Sequence, residues 1–233
     1  MRVNIIHEDD DVIVCIKPNG MPSQSDKSVD EDLVSYLKNH IYEEKKMTTE
    51  PYLGVIHRLD RPVAGVMVFA KNKEAASKLS EQVVDGRMIK YYQAVLTGEL
   101  PGWNGTLVDY LLQDPITNVS RVVPEGTEGA KKAELNYEVL DVYETDEGIL
   151  SYVLIELVTG RHHQIRVQTA SRKAGIWGDT KYNPKFKKVK KKYKQIGLFS
   201  SRLEFEHPTT GEHLVFKREP EGAAFDILEM EEF

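Results

Sequence analysis

Four consecutive residues, His57-Arg58-Leu59-Asp60, concentrate more reactive chemistry than any other stretch of this chain. They lie in the run Gly54 to Gly65, between two apolar segments, Tyr52 to Ile56 and Val66 to Ala70. Each segment is short and bounded by Gly or Pro, which predicts a buried strand. A carboxylate placed where two such strands meet has to be paired or used, because charge withdrawn from water is costly. Asp60 has the chemistry of a nucleophile, a general base or a metal ligand. The metal reading is the weakest, since no carboxylates or histidines flank it at ligand spacing. Pro62 biases Arg61 away from helical geometry, so the segment after Asp60 is expected to be extended. A second concentration, Thr159-Gly160-Arg161-His162-His163-Gln164-Ile165-Arg166, also follows an apolar strand. Arg166 is the natural partner for Asp60, because a guanidinium grips a carboxylate through two hydrogen bonds and keeps it ionised. On residue types alone, such a pair is an ordinary buried salt bridge about as often as a catalytic one.

The elements that would hold these residues follow from periodicity. Strands are predicted at Val3 to His7 and Val12 to Lys17, followed by the turn-forming Lys17-Pro18-Asn19-Gly20-Met21-Pro22. Ser28 with Glu31 fits a capping box for a helix carrying Leu33, Val34, Leu37 and Ile41 inward. A second helix, Lys73 to Asp85, has Asn72 as cap, Gly86 as terminator and Ala75, Ala76, Leu79 and Val83 on its core face. Strands are then expected at Met88 to Leu96, Leu107 to Gln113, Val119 to Val123, Ala133 to Tyr143 and Ile149 to Val158. A helix from about His163 to Lys173 comes next. Late strands, Gly197 to Glu206 and His213 to Lys217, flank the turn at His207 to Gly211. No repeat and no Ser/Gly linker interrupts this order. Few helices amid many strands predict an α+β fold: one domain over residues 1–233, built on a mixed, mainly antiparallel sheet with flanking helices.

Composition bounds the function. The chain has 233 residues, 40% of them hydrophobic and 29% charged, as in an ordinary soluble globular protein. No apolar run reaches the roughly 18 residues of a membrane helix, and the N-terminus lacks a secretory core, so a cytoplasmic protein without membrane contact is expected. The single cysteine, Cys15, excludes an internal disulfide and reads as a small buried hydrophobe. The net charge of −6 would argue against a polyanionic partner, but its distribution does not. Between Arg161 and Arg202 stand 13 Lys or Arg and one acid, Asp179, a local net of +12 that leaves −18 for the rest. Such asymmetry focuses a positive field on one face. The plainer alternative is a solvated lysine-rich loop. Beyond Lys217 the chain turns into an acidic tail over about residues 218–233.

Five collinear motifs supply what residue types leave open. His57-Arg58-Leu59-Asp60 with Gly65 resembles the signature of the RluA-type pseudouridine synthases. Lys17-Pro18-Asn19-Gly20 is similar to that family's early Lys-Pro-x-Gly turn, and Lys90-Tyr91-Tyr92-Gln93-Ala94 to its Lys-x-Tyr-x-Ala strand. Thr159 to Arg166 resembles Thr-Gly-Arg-Thr-His-Gln-Ile-Arg, and Gly178-Asp179-Thr180-Lys181-Tyr182 resembles Gly-Asp-x-x-Tyr. Beyond these five, His207-Pro208 with Gly211 matches the closing hairpin. One such motif is weak, but five in order over residues 10 to 217 are specific.

The resemblance implies an RNA-uridine isomerase acting on structured tRNA or rRNA in a central cleft, with no cofactor and no metal, working as a monomer. Asp60 would be the catalytic aspartate, Tyr92 would stack on the base and remove the C5 proton, and Arg166 would hold Asp60 charged. Arg58 would fill the space left by the extruded nucleotide. RNA contacts would fall to His57, Arg61, Lys90, Arg161, His162, His163, Gln164 and Lys181, and to Lys187, Lys188, Lys190 and Lys191. The segment 181–194 carries 8 lysines and no acid, with Tyr182, Phe186 and Tyr193 interleaved as candidate base-stacking residues. Each role has a plainer rival. Tyr92 lies in a strand where aromatics are common in cores, and His57 reads equally as a hydrogen-bonded structural histidine. The chain departs from the family pattern at Val63-Ala64, where Thr-Ser is usual, and at His162, usually threonine. It opens directly on the catalytic strands without the S4 domain that many members carry, so recognition is expected from the catalytic domain itself. A catalytically silent RNA-binding descendant and a carboxylate-based hydrolase are the competing functions; no second acid stands in a matching motif for the latter.

Overall fold

The computed structural model describes residues 2–25, 30–145, 148–188 and 195–227. The chain forms two compact units, one of residues 1–89 with 200–219 and one of residues 90–199 with 220–233.

The first unit begins with β1 (Asn4–Glu8) and β2 (Val12–Lys17), antiparallel neighbours. Next come α1 (Leu33–Glu44), the short β3 (Gly54–Val55), β4 (Ala64–Ala70) and α2 (Lys73–Asp85). β4 pairs antiparallel with both β2 and β3, and every residue of β4 is buried. Its valines share a core with Val12, Val14, Ala75, Leu79, Leu203 and Phe205. Burying Leu79 alone is worth about 2 kcal/mol. α2 has the predicted limits: Asn72 accepts the Ala75 N–H at 2.8 Å, and Gly86 ends the helix at φ 82°. On its core face Val83 is half-buried against the core as expected, and Gln82 is buried there too, because its amide pairs with both backbone groups of Glu206. α1 buries Leu33, Leu37 and Ile41 as expected, but its cap is Asp32, which accepts from the Ser35 N–H at 3.1 Å. The expected cap Ser28 lies outside the described residues. The predicted strand Tyr52 to Ile56 shrinks to Gly54–Val55, leaving Tyr52 41% exposed. The residues on its C-terminal side leave the sheet to form the loop carrying Asp60.

In the second unit, β5 (Ile89–Thr97) is followed by β6 (Asn104–Asp114), β7 (Val119–Val123), β8 (Lys131–Thr145) and β9 (Gly148–Glu156). They lie in the order β5-β9-β8-β6-β7, each pair antiparallel. Burial alternates with period two, so Tyr92, Ala94 and Leu96 face inward while Tyr91 and Gln93 are half-buried. α3 (Gln164–Ser171) is shorter than expected at both ends, and β10 (Gly175–Ile176) pairs with β5. Six of the eight α3 residues are buried, so its polar side chains need internal partners: Gln168 donates to Leu107 O and to Asp109. Two further strands, β11 (Leu198–Glu206) and β12 (His213–Lys217), pair antiparallel and from residue 200 onward belong to the first unit, whereas α4 (Ala223–Asp226), in the second, is one turn within the expected acidic tail. The α+β class is the one the periodicity predicted. No described helix is long and apolar enough to cross a membrane.

Candidate active site

In the first unit the site is a loop held from behind. Residues 56–63 join β3 to β4 without regular structure, so their backbone groups must find partners elsewhere. Leu59 plugs the loop into the core at 6% exposure. Its N–H donates to Ser23 Oγ at 3.1 Å, and Ser23 Oγ donates to its carbonyl at 2.7 Å. The Arg61 carbonyl accepts from the Gly20 N–H at 2.9 Å and from Lys17 Nζ at 3.2 Å. Asp60 itself is half-buried, and its carbonyl accepts from the Val63 N–H at 3.0 Å. Val63 and Ala64 are buried, so packing holds this arm of the loop.

Lys17 lies beneath this loop with no exposed surface, its ammonium also donating to the carbonyls of Pro18 and Met21. Burial pulls its pKa down to about 7, with the Asp60 charge opposing and the Arg61 charge assisting. A lysine so placed sets the local potential at Asp60 and ties together the turn behind it. Gly65 closes the loop at φ 130°, where a Cβ would lie 2.3 Å from the Ser200 carbonyl oxygen, so β4 passes its neighbour at a distance only glycine permits.

The other predicted residues of this unit are dispersed by role. His57 Nε2 accepts from the Val68 N–H at 3.2 Å, a bond that orients the ring against β4. Arg58 points to solvent. Arg61 is exposed too, yet its guanidinium turns back to the Gly20 carbonyl at 3.0 Å and to the Asp30 carboxylate.

In the second unit, Tyr92 sits on β5 opposite Ile155 and is 6% exposed. Lys90, at the start of the strand, is also 6% exposed, and burial lowers its pKa. Arg166, on the first turn of α3, is gripped in its own plane by Asp179: Nε to Oδ2 at 2.8 Å and Nη2 to Oδ1 at 2.9 Å. The Tyr182 ring lies 5.1 Å below the same guanidinium. Asp179 Oδ1 also accepts the backbone N–H groups of Lys181 and Tyr182, so one carboxylate shapes the turn and aims the arginine. The Tyr182 hydroxyl accepts from the Ser120 N–H at 2.8 Å and shares a hydrogen bond with His163 Nδ1 at 2.7 Å. Burial and the charges of Arg166, His162 and Lys181 push the His163 pKa down to about 2, so the ring is neutral. His162 stacks on it at 3.7 Å between centroids and bonds Ser120 Oγ through Nδ1 at 2.8 Å.

Gln164 is buried scaffold. Its side-chain oxygen accepts from Thr159 and from the Arg161 N–H, while its nitrogen donates to the Glu134 carbonyl. Arg161 is exposed, with Nε on the Lys132 carbonyl; Lys181 Nζ donates to Asn118 O at 2.8 Å. Lys187 and Lys188 are exposed, and Lys190, Lys191 and Tyr193 lie outside the described residues. Phe186, expected as a stacking residue, is instead core: it is 7% exposed, edge-on to Trp177 at 5.5 Å. Tyr182 is likewise committed within the fold.

Sequence reasoning gave no role to Ser23, Ser120 or Asp179. For Asp179 a signal existed, since it is the lone acid among 13 cations. Among the described residues two clusters have metal-ligand composition, Asp9-Asp11-His207 and Glu8-His40-Glu44, and neither includes a site residue. In the first, His207 Nδ1 accepts from the N–H groups of Thr209 and Thr210, so Nε2 carries the proton that faces Asp9 and offers no lone pair to a metal.

The model of the RNA pseudouridylate synthase family matches residues 11–171. The chain is 35% identical over 228 residues to an uncharacterized RNA pseudouridine synthase of Aquifex aeolicus, covering 94% of this chain and 70% of that protein. Identity is 32% to ribosomal large subunit pseudouridine synthase D of Neisseria meningitidis, across 93% of this chain but only 58% of that protein. The solved human RNA Pseudouridylate Synthase Domain Containing 4 matches with TM-score 0.74 at 22% identity, over 93% of this chain and 88% of that one, a likeness of fold.

Proposed function

The chain belongs to the RNA pseudouridylate synthase family, isomerases that turn uridine into pseudouridine within RNA, and on that premise we propose that Asp60 is its catalytic aspartate. The observation that carries the proposal is a half-exposed aspartate on a loop whose flanking residues are both pinned, with a buried lysine amine behind it. In the reaction the bond between ribose C1′ and uracil N1 breaks, the base turns, and C5 joins C1′. The C5 proton is lost and N1 gains one, so atoms and electrons balance without an external donor. Asp60 attacks either C1′ or the uracil ring to carry the two halves through this exchange. Tyr92 stacks on the base and takes the C5 proton.

Arg166, fixed by Asp179 and Tyr182, is the third residue we assign to the chemistry, as the cation that serves the catalytic carboxylate. Arg58, exposed on the same loop as Asp60, fills the gap left by the everted nucleotide. Arg161, His162, Lys181, Lys187 and Lys188, together with Lys190 and Lys191, contact phosphates, and the substrate is a structured tRNA or rRNA; relatives named for the large ribosomal subunit favour the latter. The enzyme acts in the cytoplasm as a monomer.

Incubation of wild type and Asp60→Asn with transcribed rRNA and tRNA fragments, followed by mapping of pseudouridine, tests this. Wild type is expected to convert specific uridines, and the variant none. A variant that converts at the wild-type rate removes Asp60 from the chemistry.

A further inference from the structure

We propose that Ser23 is a positioning residue for Asp60, acting through the backbone of Leu59. The inference rests on the reading of Asp60 as the catalytic carboxylate and adds a residue that no motif marks. Ser23 is 5% exposed, and a buried hydroxyl must be hydrogen-bonded to repay its desolvation. Its single proton goes to the Leu59 carbonyl at 2.7 Å, while its oxygen accepts the Leu59 N–H at 3.1 Å; Met67 Sδ is a further contact at 3.7 Å. The hydroxyl therefore serves as the strand partner that Leu59 lacks, both peptide groups of one irregular residue being satisfied by one side chain.

The placement gives this a catalytic consequence. Adjacent Cα atoms are about 3.8 Å apart, so fixing the peptide groups of residue 59 fixes the direction in which the Asp60 side chain leaves the loop. On the other side the Arg61 carbonyl is held by Gly20 and Lys17. Asp60 is thus suspended between two pinned residues, and Ser23 supplies the pin on the N-terminal side. Val63 and Ala64, which continue the loop, have apolar side chains that can make no equivalent bond.

The test compares Ser23→Ala, Ser23→Thr and Asp60→Asn on the transcribed fragment that wild type converts, with kcat and KM measured separately and amide exchange followed at Leu59. Ser23→Ala is expected to lower kcat about tenfold while KM stays within about twofold, because carboxylate aim and not RNA binding is lost. Its Leu59 amide exchanges faster, and Ser23→Thr, which keeps the hydroxyl, restores most of kcat. Faster Leu59 exchange with an unchanged kcat overturns the proposal. So does an equal loss in Ser23→Ala and Ser23→Thr together with a fall in melting temperature, which would make the serine a packing residue only. Wild-type turnover by Asp60→Asn would instead strike the reading of the aspartate, leaving the effect of Ser23 on the loop to be read from the exchange data.

Discussion

Lys17→Met replaces a fully buried ammonium by an apolar chain of similar length, and its effect on stability has a worked pH dependence. In the folded protein burial takes the amine from 10.5 to about 7. A folded value below the unfolded one means that, between these limits, the unfolded chain binds the extra proton, so wild-type stability rises with pH across that window. Linkage with those two values gives a gain of about 2 kcal/mol between pH 7 and pH 9. The variant has no such group, and every other titrating residue cancels in the comparison. The variant also strips the donor from the carbonyls of Pro18 and Met21, at about 1–3 kcal/mol for each left buried and unpaired, while the Arg61 carbonyl keeps the Gly20 N–H. Wild type is therefore the more stable protein at pH 9, and its lead shrinks toward pH 7, where the cost of burying a charge offsets part of it. Urea unfolding of both proteins at pH 7, 8 and 9, followed by far-ultraviolet circular dichroism, reads the difference directly. A lead that stays constant within about 0.5 kcal/mol, or that shrinks as pH rises, refutes the claim that this amine gives up its proton near neutrality.

Gly65→Ala is expected to cost at least about 3 kcal/mol, since the new Cβ would sit 2.3 Å from the Ser200 carbonyl oxygen at a backbone angle that other residues avoid; denaturant titration checks it, and a loss under about 1 kcal/mol would contradict the close approach. Asp179→Asn removes the charge that aims Arg166 while keeping the shape. Breaking such a buried pair costs about 3–5 kcal/mol, and activity should fall more than tenfold with RNA affinity nearly kept; stopped-time pseudouridine assays and filter binding separate the two.

Local signals made part of this fold legible and tertiary ones hid the rest. The bounds of α2 follow from Asn72 and Gly86, two residues that act on their own neighbours, and the bounds of β2, β7 and β12 from apolar runs between turn residues. The cap of α1 was misread because Ser28 and Glu31 have the right spacing, whereas the helix begins at Leu33 under Asp32. For the candidate site, the motifs point to Asp60, Tyr92 and Arg166. The grip of Asp179 on Arg166 spans 13 residues and that of Ser23 on Leu59 spans 36, and no periodicity encodes either. Phe186 and Tyr182 were read as surface aromatics because their neighbours are lysines; the packing on Trp177 and under Arg166 that claims them is invisible to composition.

Phe186 and Ile196 are both buried in the second unit, 7% and 2% exposed, so the lysine-rich segment is rooted at both ends. A chain tethered at two points has a bounded reach. How far the charge of that segment carries is thus a matter of apolar packing at two anchors, and not of the lysine count between them.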